Sequence, residues 1–183
     1  MKKRLLKGVS MLLSLVILFS VFGSGLPATV ASADEGDGET VAVLYLCVCG
    51  IRLPYIFGHT WMVVENVSGE PLTVGSKTLE PGAMLSAGLH SGVGMEFDRE
   101  MREFRGQSVT AIARELTADE LERAAKEIVN SRWDHYNLFV HNCTHFCSAV
   151  WKAATGVNFG VSVIPAILKS KMPASQRISL RIP

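Results

Sequence analysis

The sequence predicts an α+β fold, and three observations carry the prediction. Strand-like segments fill the first part of the chain and helix-like segments the later part, an order that favours a sheet with segregated helices over alternating βαβ units. Turn signals, Ser68-Gly69-Glu70 and Pro81-Gly82, separate the strand-like runs at hairpin distances. No internal repeat and no linker of domain scale interrupts the chain.

The first residues read as an export signal. Lys2, Lys3, Arg4 and Lys7 form a basic start, residues 11–22 form an apolar run, and Ala31-Ser32-Ala33 supplies a small-residue cleavage site. The apolar run is shorter than the ~20 residues a membrane span needs. The expected organisation is a signal peptide over 1–33, a flexible acidic leader over 34–40, one domain over 41–172 and a basic, poorly patterned tail over 173–183. Cleavage after Ala33 removes four of the 18 basic residues and none of the 17 acidic ones, leaving a net charge of −3. With no basic surplus and no Lys/Arg run, nucleic acid is excluded as the expected partner. The expected location is extracytoplasmic, without a stable membrane span after cleavage, and the signal and low cysteine count look bacterial.

Residues 40–48 are β-branched and apolar, a buried strand. Residues 50–58 form a loop around Pro54 with an apolar body in Tyr55, Ile56 and Phe57. Residues 59–66 read as a second strand, 72–75 as a short third and 84–88 as a return. Residues 90–94 are Gly-rich, and His90 is expected on the surface there. Residues 97–105 are charged and without a clear pattern. Residues 108–114 suit another strand. Thr117-Ala118-Asp119-Glu120 is a capping box that opens a helix with Leu121, Ala124, Ala125 and Ile128 on one side. Pro165 starts a last short helix.

The chemistry concentrates in His141-Asn142-Cys143-Thr144-His145-Phe146-Cys147. Asn142 is a preferred N-cap type, so a helix is expected to begin at Cys143 and to stop at Gly156. A thiol at a helix mouth feels the positive end of the dipole, which favours its thiolate. A cysteine nucleophile needs a base, and His59, which opens a strand after Gly58, is the histidine that a rigid element would aim. His145, two positions from Cys143 on the same helix, points elsewhere and suits a structural hydrogen bond to the nearby backbone. Cys47 and Cys49 share one strand face and leave three options: buried free thiols, one disulfide with Cys147, or a metal site.

Tyr136-Asn137-Leu138-Phe139-Val140-His141-Asn142-Cys143-Thr144-His145-Phe146 resembles the Y-x-L-(x)3-N-C-x-H-F signature of the circularly permuted papain-like proteins, which include NlpC-like and lecithin–retinol acyltransferase-like branches. Gly58-His59-Thr60-Trp61, followed by residues 63–68, resembles their histidine strand. The order, histidine before cysteine, is the permuted one. The resemblance implies an antiparallel sheet carrying the His59 strand, packed against the Cys143 helix. It implies Cys143 as nucleophile and His59 as base, with Asn142, His145 and Tyr136 in support. It also implies a third polar group on the strand after the histidine strand, where Thr73 is available. The expected function is a secreted thiol hydrolase, an amidase or peptidase working through an acyl-enzyme on peptide or cell-wall amide bonds. The alternatives are an acyltransferase of the same fold and a non-catalytic secreted binding domain. No cofactor and no metal is expected.

Overall fold

A computed structural model describes residues 38–160 and 162–183. The expected signal peptide and residues 34–37 of the leader lie outside the described residues. The domain is α+β, built on one antiparallel sheet. Its strands are β1 (Ala42–Cys49), β2 (His59–Asn66), β3 (Leu72–Val74), β4 (Lys77–Leu79), β5 (Met84–His90), β6 (Gly94–Phe97), β7 (Ser108–Leu116) and β8 (Ile178–Arg181). Its helices are α1 (Arg99–Glu103), α2 (Ala118–Ile128), α3 (Cys143–Thr155) and α4 (Pro165–Lys171).

Six strands form the main sheet in the order β6-β5-β2-β1-β7-β8, and β3 and β4 form a separate hairpin. β1, at the centre, pairs with β2 on one side and with β7 on the other; Leu46 lies opposite Met62 and Ile112. β8 comes from the segment expected to be a tail. Its residues pair with β7, Ser108 opposite Arg181, and Ile182 beyond it is fully buried. Four strand residues flanked by basic ones carry too little pattern to announce an edge strand, but the exposed side of β7 offers a row of unpaired backbone groups that a short strand satisfies.

Strand alternation gives the sheet two faces. Leu44, Leu46, Met62, Val64, Ala87 and Leu89 belong to the larger core cluster together with Phe146 and Val150 of α3 and Leu121 and Ile128 of α2. Fully burying a side chain of the size of Phe146 contributes about 1.5–3 kcal/mol. Cys47, Trp61, Val63, Phe104 and Ala111 form a smaller cluster on the other face.

The helix ends follow the local chemistry. Thr117 and Glu120 make the reciprocal capping box at the start of α2. Asn142 caps α3: its Oδ1 accepts from the Thr144 and His145 amides at 3.0 and 3.2 Å, while its Nδ2 donates to the Leu138 and Val163 carbonyls at 2.7 and 3.0 Å. Asn142 is 1% exposed, so the cap also ties two loops to the mouth of the helix. Gly156, at φ 73°, ends α3 in the left-handed conformation that glycine adopts without a Cβ penalty.

Candidate functional site

α3 packs across the sheet with its N-terminus at the end of β2 where His59 lies. Gly58 sets the entry to that strand. Its φ is +81°, and a Cβ there would lie 2.8 Å from the Cys49 carbonyl oxygen, so the chain turns tightly against β1 before His59 begins. His59 is 3% exposed and Cys143 6%, so the pair is nearly closed to water.

The two side chains are brought together. Burial pushes the Cys143 thiol up, but the hydrogen bond and charge of the His59 imidazole, with the Thr60 hydroxyl and amide, outweigh it and bring the thiol below its ordinary 9.0. Burial acts on His59 in the opposite sense, lowering it. The Cys143 thiolate and the Glu100 carboxylate prevail and raise the imidazole to about 9. Both shifts favour an ion pair of thiolate and imidazolium.

His59 is held on three sides. Tyr55 stacks on its ring with centroids 4.5 Å apart and an 8° interplanar angle, and Trp61 stacks on it at 5.6 Å. Tyr55 in turn donates its hydroxyl to Glu103. His59 Nε2 donates to Glu100 Oε1 at 2.9 Å. With Nε2 engaged there, Nδ1 is the nitrogen left for the thiol.

Glu100 is the partner that sequence reasoning missed. It lies in α1, within the charged stretch that had no clear pattern, and it is 0% exposed. Its Oε2 accepts from Ser86 Oγ at 3.0 Å, and its Oε1 stands 2.8 Å from His90 Nε2. Burial raises its pKa, but the two imidazoles outweigh that and draw it down to about 2. The signal that points to this pocket is the period-two set Ser86, Gly88 and His90 on one face of β5, where Gly88 lies opposite Trp61 of β2. Glu100 and Phe104 share a helical face, with Phe104 buried in the smaller cluster.

Several expectations change. Thr73 does not serve as the third polar group. It is exposed on the β3–β4 hairpin, outside the main sheet, and lines a shallow cleft of about 380 Å³ with Leu121 and Ala125 of α2 and Val129 just beyond it. A hairpin that leaves the sheet cannot carry a side chain to the His59 end of β2. His90 is not on the surface: β5 continues through it, and it is 4% exposed. His145 is half-buried, and its Nδ1 donates to the Asn142 side-chain carbonyl at 2.8 Å rather than to the backbone, because Asn142 Oδ1 sits over the first turn as the cap. Tyr136 is half-buried near the thiol; burial first, and then the Cys143 charge, raise its hydroxyl to about 12.

All four cysteines are buried free thiols. Burial raises Cys147, one helical turn after Cys143, well above the ordinary thiol value, and likewise Cys47. Burial raises Cys49 to about 11. Thr60 Oγ1, which makes no well-formed hydrogen bond, faces the sulfurs of both Cys143 and Cys147. Comparison with protein-family models, with curated proteins and with solved structures finds no match to this chain.

Proposed function

We propose that this chain is a secreted thiol hydrolase of the circularly permuted papain-like type, acting on amide bonds with Cys143 as nucleophile and His59 as base. The observation that carries the reading is a buried thiol at the Asn142-capped mouth of a helix beside a buried imidazole that Glu100 holds at 2.9 Å; burial pushes that thiol up, and the imidazole more than offsets it. Buried thiols without that partner, Cys47 and Cys147, shift the other way.

In this reading the Cys143 thiolate attacks the amide carbonyl carbon. Of the first-turn amides of α3, the Asn142 side chain takes those of Thr144 and His145, and the Asn142 carbonyl takes that of Phe146. The Cys143 amide is the one the cap leaves for the oxyanion. His59, protonated on both nitrogens, gives its Nδ1 proton to the departing amine and leaves a thioester on Sγ. Water, losing a proton to Nδ1, then attacks the thioester carbonyl, releases the carboxylic acid and restores the thiolate–imidazolium pair. Glu100 is a positioning residue: its bond to Nε2 fixes the ring and stabilises the imidazolium.

Peptide or cell-wall amides are the proposed substrate class. Acyl transfer to an amine or alcohol is the second reading, and one observation favours it. Ile51, Leu53, Ile56 and Phe57, in the loop leading to His59, and Phe139 and Val140, in the loop leading to Cys143, are exposed apolar side chains. They would suit an apolar acyl group beside the thiol.

The test is the pH dependence of Cys143 alkylation in chelator-treated protein. Fast alkylation below the ordinary thiol pKa, moved to higher pH by His59→Ala, is expected. If Cys143 titrates like an ordinary thiol and His59→Ala leaves its profile unchanged, the reading falls and a non-catalytic binding domain takes its place.

A further inference from the structure

On the sheet face away from α3, three ligand-type atoms converge. His59, His90 and Glu100, all buried, each place one ligand atom within 4.8 Å of the others, with His59 Nε2 2.9 Å and His90 Nε2 2.8 Å from Glu100 Oε1. They come from three elements, β2, β5 and α1, so the folded sheet rather than one flexible loop assembles them.

The two imidazoles meet the carboxylate differently. His59 makes a well-aligned hydrogen bond to Oε1 at 2.9 Å. His90 Nε2 is as close, 2.8 Å, yet its ring does not aim an N–H at that oxygen, and the nitrogen has no hydrogen-bond partner among the described residues. A polar nitrogen in a side chain 4% exposed is costly to leave unaligned. An ion shared between His90 Nε2 and Glu100 Oε1 would give that nitrogen a partner.

The backbone makes room for that point. A Cβ on Gly88 would lie 1.9 Å from Glu100 Oε1 and 3.0 Å from His90 Nε2, so β5 forgoes a side chain where the two donor atoms meet. Ser86 Oγ donates to the outer oxygen Oε2 at 3.0 Å and leaves Oε1 to face the imidazoles. A ligating carboxylate is commonly fixed in this way by a hydrogen bond to its other oxygen.

We propose that His59, His90 and Glu100 form a binding site for one divalent transition-metal ion, with zinc the ion the donors suit best. Two neutral imidazoles and a carboxylate are a common zinc ligand set, with Zn–N and Zn–O distances of about 2.0–2.2 Å, and a fourth position is left to water. Magnesium and calcium, which take oxygen ligands, are disfavoured by the two nitrogens. An ion at His59 Nε2 stands where the proton bound to Glu100 otherwise sits. The ion-bound form and the form with the His59–Glu100 hydrogen bond are therefore exclusive. The proposed binding needs no assumption about the thiol; only its consequence, that zinc switches off the hydrolase, rests on the function proposed above.

The experiment is a calorimetric titration of chelator-treated protein with ZnCl2, paired with a CoCl2 titration followed by visible ligand-field absorption. One ion per chain at micromolar affinity or tighter is expected, with the intense spectrum of low-coordinate cobalt. Cys143→Ser should bind as the wild type does, which separates this site from the thiols and from the hydrolase reading. His90→Gln should weaken binding about 100-fold or more, and Ser86→Ala, a milder change that keeps every ligand, by about 10–100-fold. In thermal melts, zinc should raise the Tm of wild type and Cys143→Ser but not of His90→Gln. Absence of a one-to-one site overturns the proposal. So does binding that survives both His90→Gln and Ser86→Ala, or binding that is lost with Cys143→Ser.

Discussion

One face of the six-stranded sheet meets α2 and α3 through Leu44, Leu46, Met62, Phe146 and Val150; the other meets the short helix α1 through Trp61, Phe104, His59, His90 and Glu100. The first is a broad apolar contact in which any well-packed side chains of similar volume serve. The second is a buried polar network centred on the Glu100 carboxylate, which His59 and Ser86 hydrogen-bond and His90 approaches, and where replacing one member leaves another unsatisfied. The same strands build both, because residues of one parity face the helices and those of the other face Glu100. The apolar bulk lies on the first face and the buried titratable groups on the second, and Cys143 joins them by standing at the end of a helix rooted in the first while the imidazole beside it belongs to the second.

The comparison breaks most visibly on the apolar side. Phe146→Ala should cost about 3–5 kcal/mol in denaturant unfolding while leaving the pH profile of Cys143 alkylation in the folded protein unchanged. A shift of that profile would show that the faces are not separable. Glu100→Gln tests the polar side. It should lower any amidase activity by about 100-fold or more and move Cys143 alkylation to higher pH, because the imidazolium loses its counter-charge. Equal kinetics for Glu100→Gln and wild type would remove Glu100 from the proposed machinery.

A smaller effect appears in acid. Glu100 is drawn from its ordinary 4.5 to about 2, despite the opposing effect of burial, by His59 and His90. A carboxylate held below its unfolded value contributes stability that is complete above pH 4.5 and lost as pH falls toward 2. Thermal melts between those limits should therefore fall more steeply for wild type than for Glu100→Gln. Parallel curves would count against the network. Thr117→Ala, at the capping box far from the polar face, should cost only about 1 kcal/mol and alter neither profile.

The elements that were legible in the sequence are those whose signals are local. β2 begins at His59 as its pattern predicts, the Thr117 capping box opens α2, and Asn142 and Gly156 bound α3. Each is a short-range rule about caps, turns or alternation. The expected packing of the His59 strand against the Cys143 helix is also present. What escaped is long-range. Glu100 reads as one charge among Arg99, Arg102 and Glu103, and only the fold reveals that it points inward beneath Gly88 while Arg99 pairs with Glu96 and Glu103 half-buried at the rim. β6 and β8, four residues each, are strands because a neighbouring edge is waiting for them, not because their own residues insist. His90 was misplaced for the same reason: the glycines after it suggest a loop, but pairing with Gly94 across the turn carries the strand through it.

The central position of β1 also sets an order of assembly. Ala42 lies between Asn66 of β2 and Leu116 of β7, so β1, the first strand among the described residues, acquires its nearer neighbour soon and its farther one only after most of the domain has been synthesised. Until β7 arrives, β1 shows a bare edge rich in Val and Leu to whatever surrounds it. The half-made chain is therefore the most adhesive form this protein passes through, and closure of the β1–β7 ladder is the step that ends that exposure.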